Sequence, residues 1–229
     1  MQIKGVIFDK DGVIFNSEIF ARNLMKNICS VLHLPFDNAF YNTLLGNNNR
    51  SVEKKCIDHF GSREAYELFN CEYNKAFRKG YQNHEVELKK GAFELINYLN
   101  DNNFPICMAT SGSLESIELG FNNSIFAGSP FTYYMTGDEV TNSKPDPEIF
   151  LKAAEKINVD IRNCLVVEDS RSGLAAARRS GAIVCMVPDL IMPDETVIDC
   201  VDIIKKDLLE VRELLVPFVH SVSPSESDF

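Results

Sequence analysis

The sequence predicts an α/β protein, a doubly wound parallel sheet with an all-helical domain inserted after its first strand, and three observations carry that prediction. Short apolar runs that end in polar or turn residues have the length and continuity of strands buried on both faces. They are Val6-Ile7-Phe8, Ile106-Cys107-Met108-Ala109, Tyr133-Tyr134-Met135, Leu165-Val166-Val167, Ile183-Val184-Cys185-Met186-Val187 and the shorter Ile203-Ile204. Between the later runs lie segments with apolar residues three and four apart, at 93–99, 114–121, 147–157 and 174–179, and strands alternating with helices build a parallel sheet. Residues 17–88 break the alternation: they contain only helical patterns, such as Phe20, Leu24, Ile28, Val31 and Leu32, then 52–60 and 68–81.

Each element has its punctuation. Asp146 before Pro147 predicts an N-cap and a first-turn proline, with Phe150, Ala153, Ala154 and Ile157 as the stripe facing the sheet. Gly181 after Arg178 and Arg179 predicts a helix stop with basic residues in the last turn. In the insertion, Gly46-Asn47-Asn48-Asn49-Arg50 and His59-Phe60-Gly61-Ser62 supply turns, the second ending one helix on glycine and capping the next with serine. The expected division is a core of residues 1–16 and 89–220, a helical domain of residues 17–88, and a disordered Ser-rich and acidic tail over 221–229.

Composition narrows the function classes. The chain has 229 residues, 45% hydrophobic and 24% charged, enough to form one ordinary domain and a smaller one without disulfides. Its net charge of −10 disfavours a nucleic-acid polymer or an anionic membrane as partner, and an anionic substrate would need a local cation. Seven cysteines without a C-x-x-C pair are expected to be reduced and in the core. The N-terminus is apolar only as far as Phe8, so neither a signal peptide nor a membrane span is expected, and the expected location is cytoplasmic.

A parallel sheet binds ligands at the carboxyl ends of its strands. After the first run stand Asp9-Lys10-Asp11-Gly12, and after the second Thr110-Ser111-Gly112. Lys144-Pro145 lies between a short strand and a capped helix, and Glu168-Asp169-Ser170 follows Val167. The i, i+2 spacing of Asp9 and Asp11 puts two carboxylates on one side of extended backbone, where they repel unless a cation joins them. Further oxygens from Glu168 and Asp169 make a hard-cation site of the kind Mg²⁺ favours. Taken alone, D-x-D-G is as easily a solvated turn, Lys144 a surface lysine and Thr110 a strand-end hydroxyl bonded to backbone.

Together and in this order, Asp9-x-Asp11-Gly12-Val13, Thr110-Ser111-Gly112, Lys144-Pro145-Asp146-Pro147 and Glu168-Asp169-Ser170-x-x-Gly173-x-x-Ala176-Ala177 closely resemble the haloacid dehalogenase superfamily. They look most like its β-phosphoglucomutase-like phosphatases and mutases, which pair a Rossmann-like core with a helical cap. The resemblance implies Mg²⁺-dependent phosphoryl transfer from a small phosphorylated metabolite through an aspartyl-phosphate. Asp9 would be the nucleophile, Asp11 the acid and base, and Lys144 and Thr110 the catalytic partners that hold phosphoryl oxygens. Asp9, the Asp11 carbonyl and Asp169 would hold the metal, with Glu168 as a further metal-site residue acting through water or as a supporting acceptor. Ser111 and Gly112 would bind the phosphate, and Arg50 in the cap is the candidate for gripping the rest of the substrate.

Lys10 stands where many relatives carry a hydrophobic residue, and its side chain is expected to point away from the metal. A monomer acting as a phosphomonoesterase is expected. A sugar-phosphate mutase shares every core residue and stays open, as does a catalytically silent phosphate-binding protein on the same fold.

Overall fold

The computed structural model describes residues 2–45, 47 and 49–219. The expected tail at 221–229, and Gly46 and Asn48 of the first expected cap turn, lie outside the described residues. Six strands, β1 (Gly5–Phe8), β2 (Ile106–Ala109), β3 (Tyr134–Met135), β4 (Cys164–Glu168), β5 (Ile183–Met186) and β6 (Ile203–Ile204), form one sheet in the order β3-β2-β1-β4-β5-β6. Every pairing is parallel, with Val6 opposite both Ile106 and Leu165 in the centre. The order runs outward in both directions from β1, so the chain reverses its direction of travel beside β1, where crevices form at the strand ends.

Alternation along the strands sends apolar side chains to both faces. Val6, Phe8, Met108, Leu165 and Val167 pack with helices α5 (Ala92–Asp101), α6 (Leu114–Asn122) and α9 (Leu208–Val219) through Leu95, Ile96, Phe121, Val211 and Leu215. On the other face Ile7, Cys107, Val166 and Val184 meet α7 (Glu148–Lys156) and α8 (Arg171–Ser180) through Phe150, Ala153, Leu174 and Ala177. All four residues of β1 are buried, which is why its sequence reads as a continuous apolar run.

Among the described residues the insertion holds four helices, α1 (Ser17–Val31), α2 (Asn38–Leu44), α3 (Asn49–Phe60) and α4 (Arg63–Gln82). Their separate core comprises Met25, Cys29, Tyr41, Leu44, Cys56, Phe60 and Phe69. Along α4 an aromatic ladder climbs from Phe69 to Tyr73, Phe77 and Tyr81 with ring centroids 5.4, 5.7 and 5.3 Å apart. The two connections to the sheet run side by side: Asn16 N–H donates to the Glu87 carbonyl at 2.9 Å and Lys89 N–H to that of Ile14 at 2.8 Å.

Several local expectations are corrected. The cap of α7 is Pro147 rather than Asp146, whose Oδ1 instead accepts from the Glu148 N–H at 3.0 Å. Ser62 caps α4 by accepting from the Ala65 N–H at 3.1 Å, and Gly181 closes α8 at φ +84°, both as the sequence predicts. The buried face of α1 centres on Met25 and Cys29, while Val31 is 77% exposed. Val31 lies two residues, about 200°, beyond Cys29 on a helix turning about 100° per residue, so it faces solvent. Of the seven cysteines, all are free, but Cys71 is exposed and Cys200 half-buried rather than in the core. Among the described residues no helix is long and apolar enough to cross a membrane.

Candidate active site

The carboxyl end of β1 is where the chemistry converges. Asp9 follows the last strand residue and stays tied to β4 through its N–H, which donates to the Val167 carbonyl at 3.0 Å. The chain then turns sharply: Ile14 and Phe15 N–H groups both donate to the Lys10 carbonyl at 2.9 and 3.0 Å, and Gly12 sits at φ +81°. A side chain at Gly12 would be strained by that φ, and its Cβ would lie 2.3 Å from Asp169 Oδ2. The glycine therefore lets the carboxylate after β4 close over the turn after β1.

Lys144 ties three strands together. Its ammonium, buried above the Phe150 ring at 4.8 Å, donates to Asp9 Oδ1 at 2.6 Å, Glu168 Oε1 at 2.7 Å and the Ala109 carbonyl at 3.3 Å. The surface-lysine alternative is thereby excluded.

Glu168 is the last residue of β4, not the first beyond it, and is fully buried. Its Oε1 is taken by Lys144, and its Oε2 accepts from the Asp169 and Ser170 N–H groups, both at 2.8 Å. With both oxygens engaged in hydrogen bonds it anchors the lysine and the turn. Gly173 is the reason it fits, since a Cβ there would stand 1.6 Å from Glu168 Oε1. Asp169, by contrast, is buried and its carboxylate accepts no hydrogen bond from the described residues.

Asp11 is half-buried, and its Oδ1 accepts from Ser17 Oγ at 2.7 Å and Lys10 Nζ at 2.9 Å. Lys10 is 1% exposed. It bonds to the second aspartate of the motif, a contact that the sequence does not announce. The available signal was a lysine flanked on both sides by aspartates.

Thr110 is 1% exposed, and its Oγ1 accepts from the Gly112 N–H at 3.0 Å, which leaves its own hydrogen to donate. Gly112 thus directs its amide at Thr110. Ser111 lines the cavity, as does Arg50, an exposed residue on α3. That cavity, about 680 Å³, has Asp9, Asp11, Thr110, Lys144 and Asp169 on the sheet side and Tyr41, Asn47, Arg50, Asn70, Tyr73 and Phe77 on the helical side.

The electrostatics are those of a site short of positive charge. Burial, then the charges of Glu168 and Asp11, push the Asp9 carboxyl up against the opposing pull of Lys144. Burial followed by Glu168 and Asp9 raises Asp169 well above the carboxylate range. Burial works against the charge on Lys144, yet Asp9 and Glu168 outweigh it and raise its pKa. Burial and the Asp11 charge bring Glu18, at the mouth of α1, up to about 7.

Among the described residues no three His, Cys, Asp or Glu side chains form a metal cage by themselves. The Asp9 and Asp169 carboxylates, lining one cavity, nonetheless fit a hard divalent cation such as Mg²⁺, which uses few protein ligands. The Asp169 carboxylate, pressed over Gly12 and accepting no hydrogen bond from the described residues, supports that fit.

A covered parallel sheet with an aspartate, a lysine, a hydroxyl and a second buried carboxylate at its strand ends, faced by inserted helices, has the build of a phosphatase or phosphoryl mutase. The chain belongs to the haloacid dehalogenase-like hydrolase family, whose model matches residues 6–187. It is 30% identical over 194 residues to (DL)-glycerol-3-phosphatase 2 of Arabidopsis thaliana, covering 82% of this chain and 80% of that one. It is 26% identical over 208 residues to the bifunctional riboflavin kinase/FMN phosphatase of the same plant. That match takes in 90% of this chain but 54% of the relative, so the chain spans about half its length. In fold it is similar to the β-phosphoglucomutase of Clostridium difficile, with a TM-score of 0.74 at 21% identity, over 96% of this chain and 98% of the other.

Proposed function

We propose that the protein is a Mg²⁺-dependent phosphomonoesterase that hydrolyses a small phosphorylated metabolite through a phosphoryl group carried on Asp9. The observation that carries this reading is the Lys144 ammonium held at 2.6 Å from Asp9 Oδ1, at the floor of a cavity that Asp11 also lines. Relatives named as phosphatases of glycerol 3-phosphate and of FMN support the substrate class.

Asp9 attacks phosphorus through a carboxylate oxygen and the ester P–O bond breaks on the opposite side. Asp11 gives its proton to the departing oxygen. In the second step a water loses a proton to the Asp11 carboxylate and attacks the acyl phosphate, which releases inorganic phosphate and restores the Asp9 carboxylate. Lys144 and the Thr110 hydroxyl hold phosphoryl oxygens, and preorganised donors of this kind are commonly worth about 10²–10³ in rate each. Mg²⁺, held by the Asp9 and Asp169 carboxylates and the Asp11 carbonyl, would supply charge neutralisation for the phosphoryl oxygens. The helices over the cavity exclude water and carry specificity.

Assay of sugar, polyol and nucleoside monophosphates with MgCl₂ tests the reading, with stoichiometric release of inorganic phosphate as the expected result. Rapid isomerisation of β-glucose 1-phosphate with a trace of bisphosphate and no free phosphate would make it a mutase. No turnover across the panel would leave a phosphate-binding protein.

Two further outcomes are expected. Arg50→Ala raises KM about tenfold for substrates bearing a second anionic group, the worth of one charge-assisted contact, and leaves that for p-nitrophenyl phosphate within threefold. Thermal stability without metal falls as pH rises from 5 to 8. The folded state keeps a proton on Asp9 at a pH where the unfolded chain, with an ordinary carboxyl near 3.9, has already released it. Adding MgCl₂ raises the melting temperature by about 5 °C or more at pH 8 and by less at pH 5, because the ion binds the ionised carboxylates. A flat pH response read by scanning fluorimetry would contradict the burial of Asp9.

A further inference from the structure

We propose that Lys10 is a positioning residue that fixes which oxygen of Asp11 carries out proton transfer. The inference rests on the reading of Asp11 as acid and base, and adds to it a role for the residue between the two aspartates.

Lys10 is 1% exposed, a costly position for an ammonium unless it is paired and useful. The Asp11 carboxylate, within hydrogen-bond distance, supplies the pairing that a buried ammonium needs. Its Nζ rests 5.8 Å from the Phe15 ring centroid and 5.9 Å from that of Tyr81, and donates to Asp11 Oδ1 at 2.9 Å. Phe15 belongs to the connection leaving the sheet and Tyr81 to the last turn of α4. The lysine thus stands in an aromatic sleeve made by both ends of the helical insertion, a setting in which cation–π contact and packing limit its rotamers.

The second donor to Asp11, Ser17 Oγ at 2.7 Å, takes the same oxygen. Two donors converging on Oδ1 hold the carboxyl plane and leave Oδ2 as the oxygen that gives and accepts the proton. A general acid must stand within hydrogen-bond reach of its partner oxygen, so a carboxylate free to rotate spends its time in unproductive orientations. A hydrophobic residue at position 10 could not supply this restraint.

The test uses leaving-group dependence. An alkyl phosphate needs a proton on its departing oxygen, whereas p-nitrophenolate leaves without one, and kcat/KM reports only steps up to the first irreversible phosphoryl transfer. In Lys10→Met, which keeps the volume and removes the charge, kcat/KM for the alkyl phosphate hydrolysed fastest by the unmodified enzyme should fall 10- to 100-fold. With p-nitrophenyl phosphate it should fall less than threefold. A crystal structure of the variant should show the Asp11 carboxyl turned from its present orientation.

Equal losses on both substrates, or no loss on either, would overturn the proposal, as would an unmoved Asp11 in the variant structure. If the unmodified enzyme hydrolyses neither substrate, it is the phosphatase reading that fails, and the carboxyl orientation in the variant still decides the role of Lys10.

Discussion

Replacing Asp9 with Asn should abolish turnover, by roughly 10⁴-fold or more, while leaving the fold intact and no less stable. The activity loss follows from chemistry, because an amide oxygen is a poor nucleophile towards phosphorus and removal of a covalent nucleophile is among the largest single effects in enzymes. The stability result is the more specific expectation. Asp9 and Glu168 share one cation, Lys144, at 2.6 and 2.7 Å. Burial makes ionisation of Asp9 unfavourable. Asn keeps an acceptor for Lys144 and leaves the lysine in a one-to-one pair with Glu168, so the variant should melt at or above the parent temperature at pH 8. The difference should shrink towards pH 5, where the parent's Asp9 is protonated and carries no penalty. Circular dichroism melts at the two pH values, beside a phosphate-release assay, provide the check. An active Asp9→Asn enzyme would remove the covalent route altogether.

Much of this candidate site was legible in the sequence because Asp9 and Thr110 stand directly after apolar runs and Asp169 one residue past another, and a parallel sheet brings the ends of its strands to one edge. Asp9, Thr110 and Asp169 accordingly line one cavity, and Lys144, well beyond the end of β3, lines it too. The surroundings of Lys10 were not legible, for a physical reason. β1 ends at Phe8, and the chain coils so that two later N–H groups bond the Lys10 carbonyl. Period two no longer governs where its side chain goes.

The Glu168-Asp169 doublet was ambiguous for a related reason. The two neighbours separate into different jobs, Glu168 to Lys144 and Asp169 over Gly12, and only the packed helix behind Gly173 decides which is which. Helix α2 left no periodic trace, since its seven residues bury only Tyr41 and Leu44. One apolar spacing of three is too little to distinguish a helix from a loop.

Lys144→Met is expected to be the costly counterpart of the Asp9 substitution, combining a fall in turnover of about 10³ with a loss of stability on the order of 3–5 kcal/mol at pH 8. Removing the ammonium leaves the Asp9 and Glu168 carboxylates buried against each other without their common donor, the situation in which breaking a buried pair is most destabilising. The pH dependence identifies the cause. Because the Lys144 pKa is raised in the folded state, its contribution is fully present at every pH below the ordinary lysine value and is lost only in strong alkali. Any trend between pH 5 and 8 in the variant therefore comes from carboxyl protonation: as pH falls, Asp9 takes up a proton and the repulsion is relieved. Urea denaturation should show a deficit that narrows by half or more between pH 8 and pH 5, with Lys144→Arg retaining the charge and most of the stability. A deficit independent of pH would mean that the lysine is held for its packing against Phe150 instead of for its charge.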